Sequence, residues 1–337
     1  MKPEISVVVP VYNEEEVIQT MHQRLTDVLS GLNLHYEIIY VDDGSKDNSA
    51  SIIRPWCTDD GRVKLLSFSR NFGHQTAITC GMDYAAGEAI VIIDADLQDP
   101  PELIPDMIAK WREGFEVVYA KRRKRSGETG FKKTTARLYY RLLHRLADVD
   151  IPTDVGDFRL IDKTVRDALL QLPEHNRYVR GLIAWLGYRQ TNIEYERDAR
   201  YAGKTKYPLR KMLNLAGNGI TSFSYKPLRI SIYLGVILSI ASFLFLLFIF
   251  FSRIFDLVDM EPGYASMMCV MLFFFGIVLI MLGVTGEYIG RIFEEVKNRP
   301  LYLIFREDGK FYEVGRRGTS PGSEKAVHKV DSASRPK

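Results

Sequence analysis

The sequence predicts an α/β protein with a mainly parallel sheet, followed by two membrane-crossing α-helices. Two observations carry this expectation. Over the first 122 residues short apolar runs alternate with amphipathic stretches, the pattern of successive βαβ units. Residues 228–252 and 265–289 then form apolar runs, each longer than the ~20 residues that cross a bilayer.

The strands are expected at 5–10, 36–41, 63–68, 89–93 and 116–120. Each is mostly apolar without strict alternation, as in a sheet covered on both faces. Helical patterns fill the intervals at 14–32, 48–56, 75–85 and 101–113. Open sheets of this kind bind ligands beyond the carboxyl ends of their strands. Three of these strands run into polar clusters there: PVYNEEE after the first, DDGSKDNS after the second and DADLQDPP after the fourth.

The stretch 131–146, FKKTTARLYYRLLHRL, is basic and amphipathic. It fits a helix at a membrane interface and equally an ordinary surface helix. Residues 206–227 are expected to run along the membrane towards the first span. The loop between the apolar runs carries Arg253 against Asp256, Asp259 and Glu261. The outer flanks carry Arg210, Lys211, Lys226 and Arg229 on one side, and Arg291, Lys297 and Arg299 on the other. The positive-inside rule then places both termini in the cytoplasm of a multi-pass protein of the cell (inner) membrane. The expected organisation is a cytosolic domain over 1–205, the interfacial region, the two helices within 228–290 and a cytoplasmic tail over 291–337. That tail turns polar and is expected to be largely disordered after about 306.

Composition narrows the function. A formal net charge of +3 gives no field for nucleic acid. Cys57, Cys80 and Cys269 lie far apart with no metal-binding spacing, and read as core or lipid-facing thiols in a reducing compartment. The apolar run at the N-terminus is too short for a signal peptide. The absence of GxGxxG and GxxxxGK[ST] weighs against dehydrogenase and NTPase readings.

The strand-end clusters carry the chemistry. Asp94-Ala95-Asp96 places two carboxylates one residue apart after a buried strand, a donor set for Mg²⁺ or Mn²⁺ alongside phosphate oxygens. A cation there neutralises a diphosphate leaving group, and Gln98 is available to orient it. Asp42 and Asp43 can accept from a base N–H or a ribose hydroxyl, with Gly44 permitting the turn. A simple helix-start turn is the competing reading. Pro10, Tyr12 and Glu14 supply a rigid turn, an aromatic surface and an acceptor at the neighbouring strand end.

PVYNEEE, VDDGSKDNS, SRNFGHQTA, DADLQDPP, GDFRL and RYAGKTKY, followed by two spans, resemble the family-2 GT-A glycosyltransferases. Within them the chain is similar to the dolichol-phosphate mannosyltransferase and GtrB-type polyprenyl-phosphate (bactoprenol) glucosyltransferase group, over roughly residues 3–305. The resemblance implies a Rossmann-like GT-A domain that binds a nucleotide diphosphate sugar and a polyprenyl phosphate at the membrane. It implies nucleotide-binding positions at Pro10, Tyr12, Glu14, Val41 and Asp43, and a metal and diphosphate motif at Asp94, Ala95, Asp96 and Gln98. Arg122 matches a phosphate contact, and Arg200 and Lys206 flank Gly203 in what resembles a phosphate-binding loop. Asp157, in GDFRL, matches the catalytic carboxylate. A turn carboxylate paired with Arg159 is its plainer reading. Because a phosphate monoester is already largely ionised, Asp157 fits a positioning or charge-stabilising role as well as a basic one. His74 is read as a structural histidine without a role.

The implied reaction is inverting transfer of a hexose, first of all glucose from UDP-glucose, to undecaprenyl phosphate for modification of a cell-envelope glycan. Transfer of mannose, N-acetylglucosamine or an aminoarabinose-type sugar stays open. So does a homo-oligomer packed through the two spans. A processive polysaccharide synthase needs more spans and a QxxRW segment, and Trp56, Trp111 and Trp185 lack that context. A non-catalytic nucleotide-binding scaffold fits poorly with complete DADLQD and GDFRL motifs.

Overall fold

The computed structural model of the chain describes residues 2–122, 155–175, 177–196 and 263–311, with scattered helical positions between 233 and 251. The N-terminal region alternates as its apolar pattern requires: β1 (Ile5–Val11), α1 (Ile18–Ser30), β2 (Tyr36–Asp42), α2 (Ser49–Asp59), β3 (Val63–Phe68), α3 (His74–Tyr84) and β4 (Ala89–Ile92). A 3-10 turn at Pro101–Leu103 leads into α4 (Ile104–Arg112) and β5 (Val117–Arg122). Then follow β6 (Val155–Asp162), α5 (Lys163–Gln171), α6 (Val179–Leu186), β7 (Gln190–Tyr195), α7 (Tyr264–Val296) and β8 (Ile304–Asp308).

These strands form one sheet of eight in the order β7-β5-β6-β4-β1-β2-β3-β8. The sheet is more mixed than its sequence suggests. Pairs β1–β2, β1–β4, β2–β3 and β5–β7 are parallel, whereas β6 runs antiparallel to both β4 and β5, and β8 antiparallel to β3. Two apolar layers cover its faces. One gathers Ile18, Met21 and Leu25 of α1 with Ile104 and Met107 of α4; the other gathers Ile78 and Met82 of α3 with Val165 of α5 and Leu182 of α6. Burial in these layers is the main force holding the strand ends in register.

Gly81 lets α3 approach β1, since a Cβ there would lie 2.1 Å from Val8 Cγ1. That close packing fixes the N-terminus of α3, and hence His74, over the end of β4.

α7 spans 33 residues, about 50 Å at 1.5 Å per residue, and covers the second expected span. Its segment Phe273–Val296 has a mean hydropathy of 1.8 and is long and apolar enough to cross a bilayer. Its C-terminal end is tied to the α/β domain by His175. The backbone N–H and Nδ1 of His175 contact the Glu295 carboxylate at 2.9 and 2.7 Å, and Nε2 meets the Arg299 carbonyl at 2.8 Å.

Most of the first apolar run, and all of 131–146 and 206–227, lie outside the described residues. Gly235, one of the described positions of that run, sits with its Cβ direction 3.9 Å from Met281 Cε on α7. Backbone pairing with β3 carries order through Asp308, and the described residues continue to Phe311. The polar tail beyond lies outside them.

Candidate active site

The site is set by strand register. Ile92 of β4 faces Arg159 of β6, so two residues further along, Asp94 and Asp157 stand opposite each other across the β4–β6 boundary. In sequence Asp157 is remote from the strand-end clusters; the antiparallel return of β6 brings it into the one formed by Asp94 and Asp96. β5 is antiparallel to β6 and therefore ends at the same edge, where Arg122 closes it in register with Tyr195.

His74 bridges the two carboxylates. Its Nε2 lies 3.2 Å from Asp157 Oδ2 and 3.4 Å from Asp94 Oδ1. Burial opposes a charge on this imidazole, yet Asp94 and Asp157 outweigh it and raise His74 to about 9. His74, expected to be a structural histidine without a role, lies between the two carboxylates, whose charges favour its protonated form.

Asp157 is held from the other side by Arg180, in the first turn of α6. Arg180 Nε donates to Oδ1 at 2.7 Å and Nη2 to Oδ2 at 3.0 Å, a bidentate pair, while Nη1 donates to the Val155 carbonyl at 2.8 Å. Gln75 Nε2 adds a bond to Oδ2 at 3.3 Å, and its Oε1 accepts from the Val179 N–H. Burial would raise the Asp157 carboxyl, but Arg180 and then His74 hold it well below the usual carboxylate range. Arg159, the partner expected from sequence, is the more distant cation at 4.0 Å from Oδ1. Such a carboxylate is a poor proton acceptor and a good anchor for two cations.

Asp94 has the opposite environment. Burial pushes it up to about 6, His74 pulls it down, and Asp157, Asp99 and Asp96 reinforce the rise. Its Oδ1 is buried and, beyond the 3.4 Å ion-pair contact with His74, has no hydrogen-bond donor among the described residues. These crowded carboxylates fit a hard divalent cation, which would relieve their repulsion and fill the bare oxygen. No three acidic, His or Cys side chains converge as a full ligand shell among the described residues. That suits a cation which keeps water and substrate phosphate as its remaining ligands. The intervening loop is tightly wound: Leu97 is buried at φ +59°, a left-handed conformation uncommon for leucine. The Gln98 N–H donates to Asp96 Oδ1 at 3.2 Å, Ala95 and Gln98 are buried, and Tyr195 of β7 donates to Asp99.

A cleft of about 450 Å³ opens beside this cluster, at the ends of β1, β2 and β3. Tyr12, Asp42, Gly44, Ser67, Arg70 and Phe305 are among its walls. Gly44 has φ +67°, and a Cβ there would lie 2.6 Å from the Arg70 carbonyl carbon, so only glycine fits. Asp43 is buried, and its carboxylate accepts the backbone N–H groups of Phe72 and Gly73 at 2.6 to 3.1 Å, pinning the β3–α3 loop. Asp42 is the carboxylate that faces the cleft. Pro10 and Val41 are buried register partners in β1 and β2, and the Glu14 carbonyl accepts from Ile18 at the start of α1. Arg200 and Lys206 lie outside the described residues.

Arg180 and Phe305 were not singled out in the sequence. Arg180 is one arginine in RYVRGLIAWL, 23 residues from its partner. Phe305 lies beyond the apolar runs, where nothing in the pattern points back to a strand end.

The strand ends of an α/β sheet thus hold a paired-carboxylate turn, with a polar cleft at the neighbouring strand ends. Residues 6–170 match the glycosyl transferase family 2 model, and residues 226–292 match the GtrB C-terminal hairpin. An uncharacterized glycosyltransferase, YkcC of Bacillus subtilis (strain 168), is 55% identical over 304 residues, 90% of this chain and 94% of that protein. The SfII prophage-derived bactoprenol glucosyl transferase of Shigella flexneri is 43% identical over 302 residues, 89% and 97% of the two chains. The chain belongs to glycosyl transferase family 2 and is a glycosyltransferase carrying the GtrB hairpin. Among solved structures, glucosyl-3-phosphoglycerate synthase from Mycobacterium tuberculosis with Mn²⁺, UDP and glucosyl-3-phosphoglycerate reaches a TM-score of 0.45 at 20% identity, covering 65% and 78% of the chains. That likeness is too low to bear on ligands.

Proposed function

We propose that the chain transfers glucose from UDP-glucose to a polyprenyl phosphate at the cytoplasmic face of the membrane, leaving a polyprenyl-phosphate sugar for envelope glycan modification. The observation that carries this reading is the juxtaposition of Asp94, His74 and Asp157 beside the β1–β3 cleft, in a domain tied directly to an apolar helix. β1 separates the cleft from the carboxylates. A nucleotide diphosphate laid across its end places the base in the cleft and the diphosphate at Asp94 and Asp96. Sequence similarity to a bactoprenol glucosyl transferase favours a polyprenyl phosphate as acceptor and glucose as the sugar.

In a single displacement an acceptor phosphate oxygen bonds to the anomeric carbon as the bond to the UDP oxygen breaks. The acceptor is already anionic, so no base must take a proton. Asp94 and Asp96 would hold Mg²⁺ or Mn²⁺, which neutralises charge on the departing diphosphate. Asp157 fixes the cations His74 and Arg180, and its charge favours positive character at the anomeric carbon. Arg122, Arg200 and Lys206 are assigned to phosphate contacts, and Pro10, Tyr12, Glu14 and Val41 to the nucleotide end, where Asp43 acts through the β3–α3 loop that it pins. The hairpin of residues 228–290 is assigned as two membrane spans with both chain termini cytoplasmic.

Calorimetric titration of the purified chain with a panel of nucleotide sugars, with and without Mg²⁺ or Mn²⁺, tests the donor assignment. UDP-glucose should bind most tightly and only with metal. Preference for a guanosine or cytidine donor overturns it.

A further inference from the structure

We infer that Phe305, on the strand that follows the membrane helix, is the surface on which the donor nucleobase stacks. This rests on the reading of the chain as a nucleotide-sugar transferase. β8 adds antiparallel to the free edge of β3, pairing Phe68 with Ile304 and Ser67 with Arg306. Two residues of β8 advance while β3 advances by one, so Phe305 is the extra residue of a bulge. Bulges at sheet edges re-aim a side chain. Here the result is a phenyl ring that is 66% exposed and lines the 450 Å³ cleft.

The surroundings suit a flat, partly polar ligand better than solvent. Tyr12, 37% exposed, lines the same cleft from the end of β1. Ser67, buried in its wall, has a hydroxyl without a partner among the described residues. Arg70 contributes cationic character. Every nucleobase presents a π-face to an aromatic ring, and an exposed phenyl gains by covering it.

The strand is held by contacts that do not use the Phe305 ring. The Ser69 N–H donates to the Leu303 carbonyl at 3.0 Å, Tyr302 Oη to Asp83 at 2.6 Å, and Tyr84 Oη to Glu307 at 2.7 Å. The Tyr302 ring stacks on Phe68 with centroids 5.3 Å apart. Removing the phenyl group therefore leaves β8 in place. The donor site is completed by chain that lies beyond the apolar helix, which links donor affinity to docking of the segment leaving the membrane.

The test is calorimetry on the full chain in detergent micelles, with UDP and Mg²⁺ as one probe and inorganic pyrophosphate and Mg²⁺ as the other. Phe305→Ala should weaken UDP about tenfold and leave pyrophosphate unchanged, because stacking concerns the base alone. Phe305→Tyr should restore UDP affinity to within about twofold of wild type, and Phe305→Leu should behave like the alanine variant. Wild-type UDP affinity in Phe305→Ala overturns the inference. So does equal loss of UDP and pyrophosphate, which marks the ring as a support of the strand, or full rescue by leucine, which marks it as simple apolar cover. If the wild-type chain binds no nucleotide diphosphate, the functional reading itself fails, a result separate from any of these.

Discussion

Arg180→Met removes the guanidinium that anchors Asp157 while keeping an apolar stem of similar reach. Asp157 has a side chain only 6% exposed, and it loses bonds of 2.7 and 3.0 Å. What remains is His74 at 3.2 Å and Gln75 at 3.3 Å on one oxygen, and the more distant Arg159 at 4.0 Å from the other. Removing one partner of a buried ion pair costs about 3–5 kcal/mol, because the other charge stays desolvated. The Arg180 side chain is 30% exposed, which places the loss near 3 kcal/mol, roughly 100-fold in the folding equilibrium. For a domain of this size the melting temperature should fall by about 6–12 °C. Thermal unfolding in detergent, followed by circular dichroism, reads this directly. In Arg180→Met/Asp157→Asn the buried carboxylate that lost its guanidinium is itself gone, so the double variant should recover about 2 kcal/mol relative to the sum of the singles. A melting temperature within about 1 °C of wild type for Arg180→Met, or strict additivity in the double variant, refutes the anchoring argument.

Asp96→Asn should lose most transfer while melting normally, since a neutral amide is a weaker ligand for a hard cation, and EDTA should abolish wild-type turnover until Mg²⁺ or Mn²⁺ is restored; near-normal transfer with metal still bound removes the carboxylate from that role. Gly44→Ala forces both a φ of +67° and a 2.6 Å contact on a methyl group. It should cost about 1–3 kcal/mol in stability and weaken UDP binding in calorimetry. His175→Ala severs the tie to Glu295 and Arg299. It should speed proteolytic cleavage between the α/β domain and α7 severalfold.

The five strands of the N-terminal half were legible because parallel strands buried on both faces are mostly apolar, and their limits agree with the structure to within two residues. The limits of β6, β7 and β8 were harder to see. β7 is an edge strand with mixed polarity, QTNIEY, and β8 is IFRED, so neither carries an apolar run. β6 was quoted only as the motif GDFRL, and its antiparallel direction is a property of topology, not of local sequence. That direction is what delivers Asp157 to Asp94. The carboxylate turn could be read from its position after AIVII, but the cations around it could not. His74 and Arg180 gain their meaning from distances across the sheet, and isolated His and Arg residues on helices carry no such signal. Asp43 shows the converse: a residue placed at the nucleotide end spends its carboxylate on the Phe72 and Gly73 amides. Asp42 faces the cleft instead.

The central claim is that this chain joins one glucose to a polyprenyl phosphate. Its most direct test is the mass of the lipid formed when the purified full-length chain is incubated with undecaprenyl phosphate, UDP-glucose and Mg²⁺. The account predicts a single new lipid, heavier than the acceptor by one anhydrohexose, with one UDP released for each lipid formed and little of either with Asp96→Asn. A ladder of lipids carrying several sugars, or UDP release without any change in lipid mass, contradicts it.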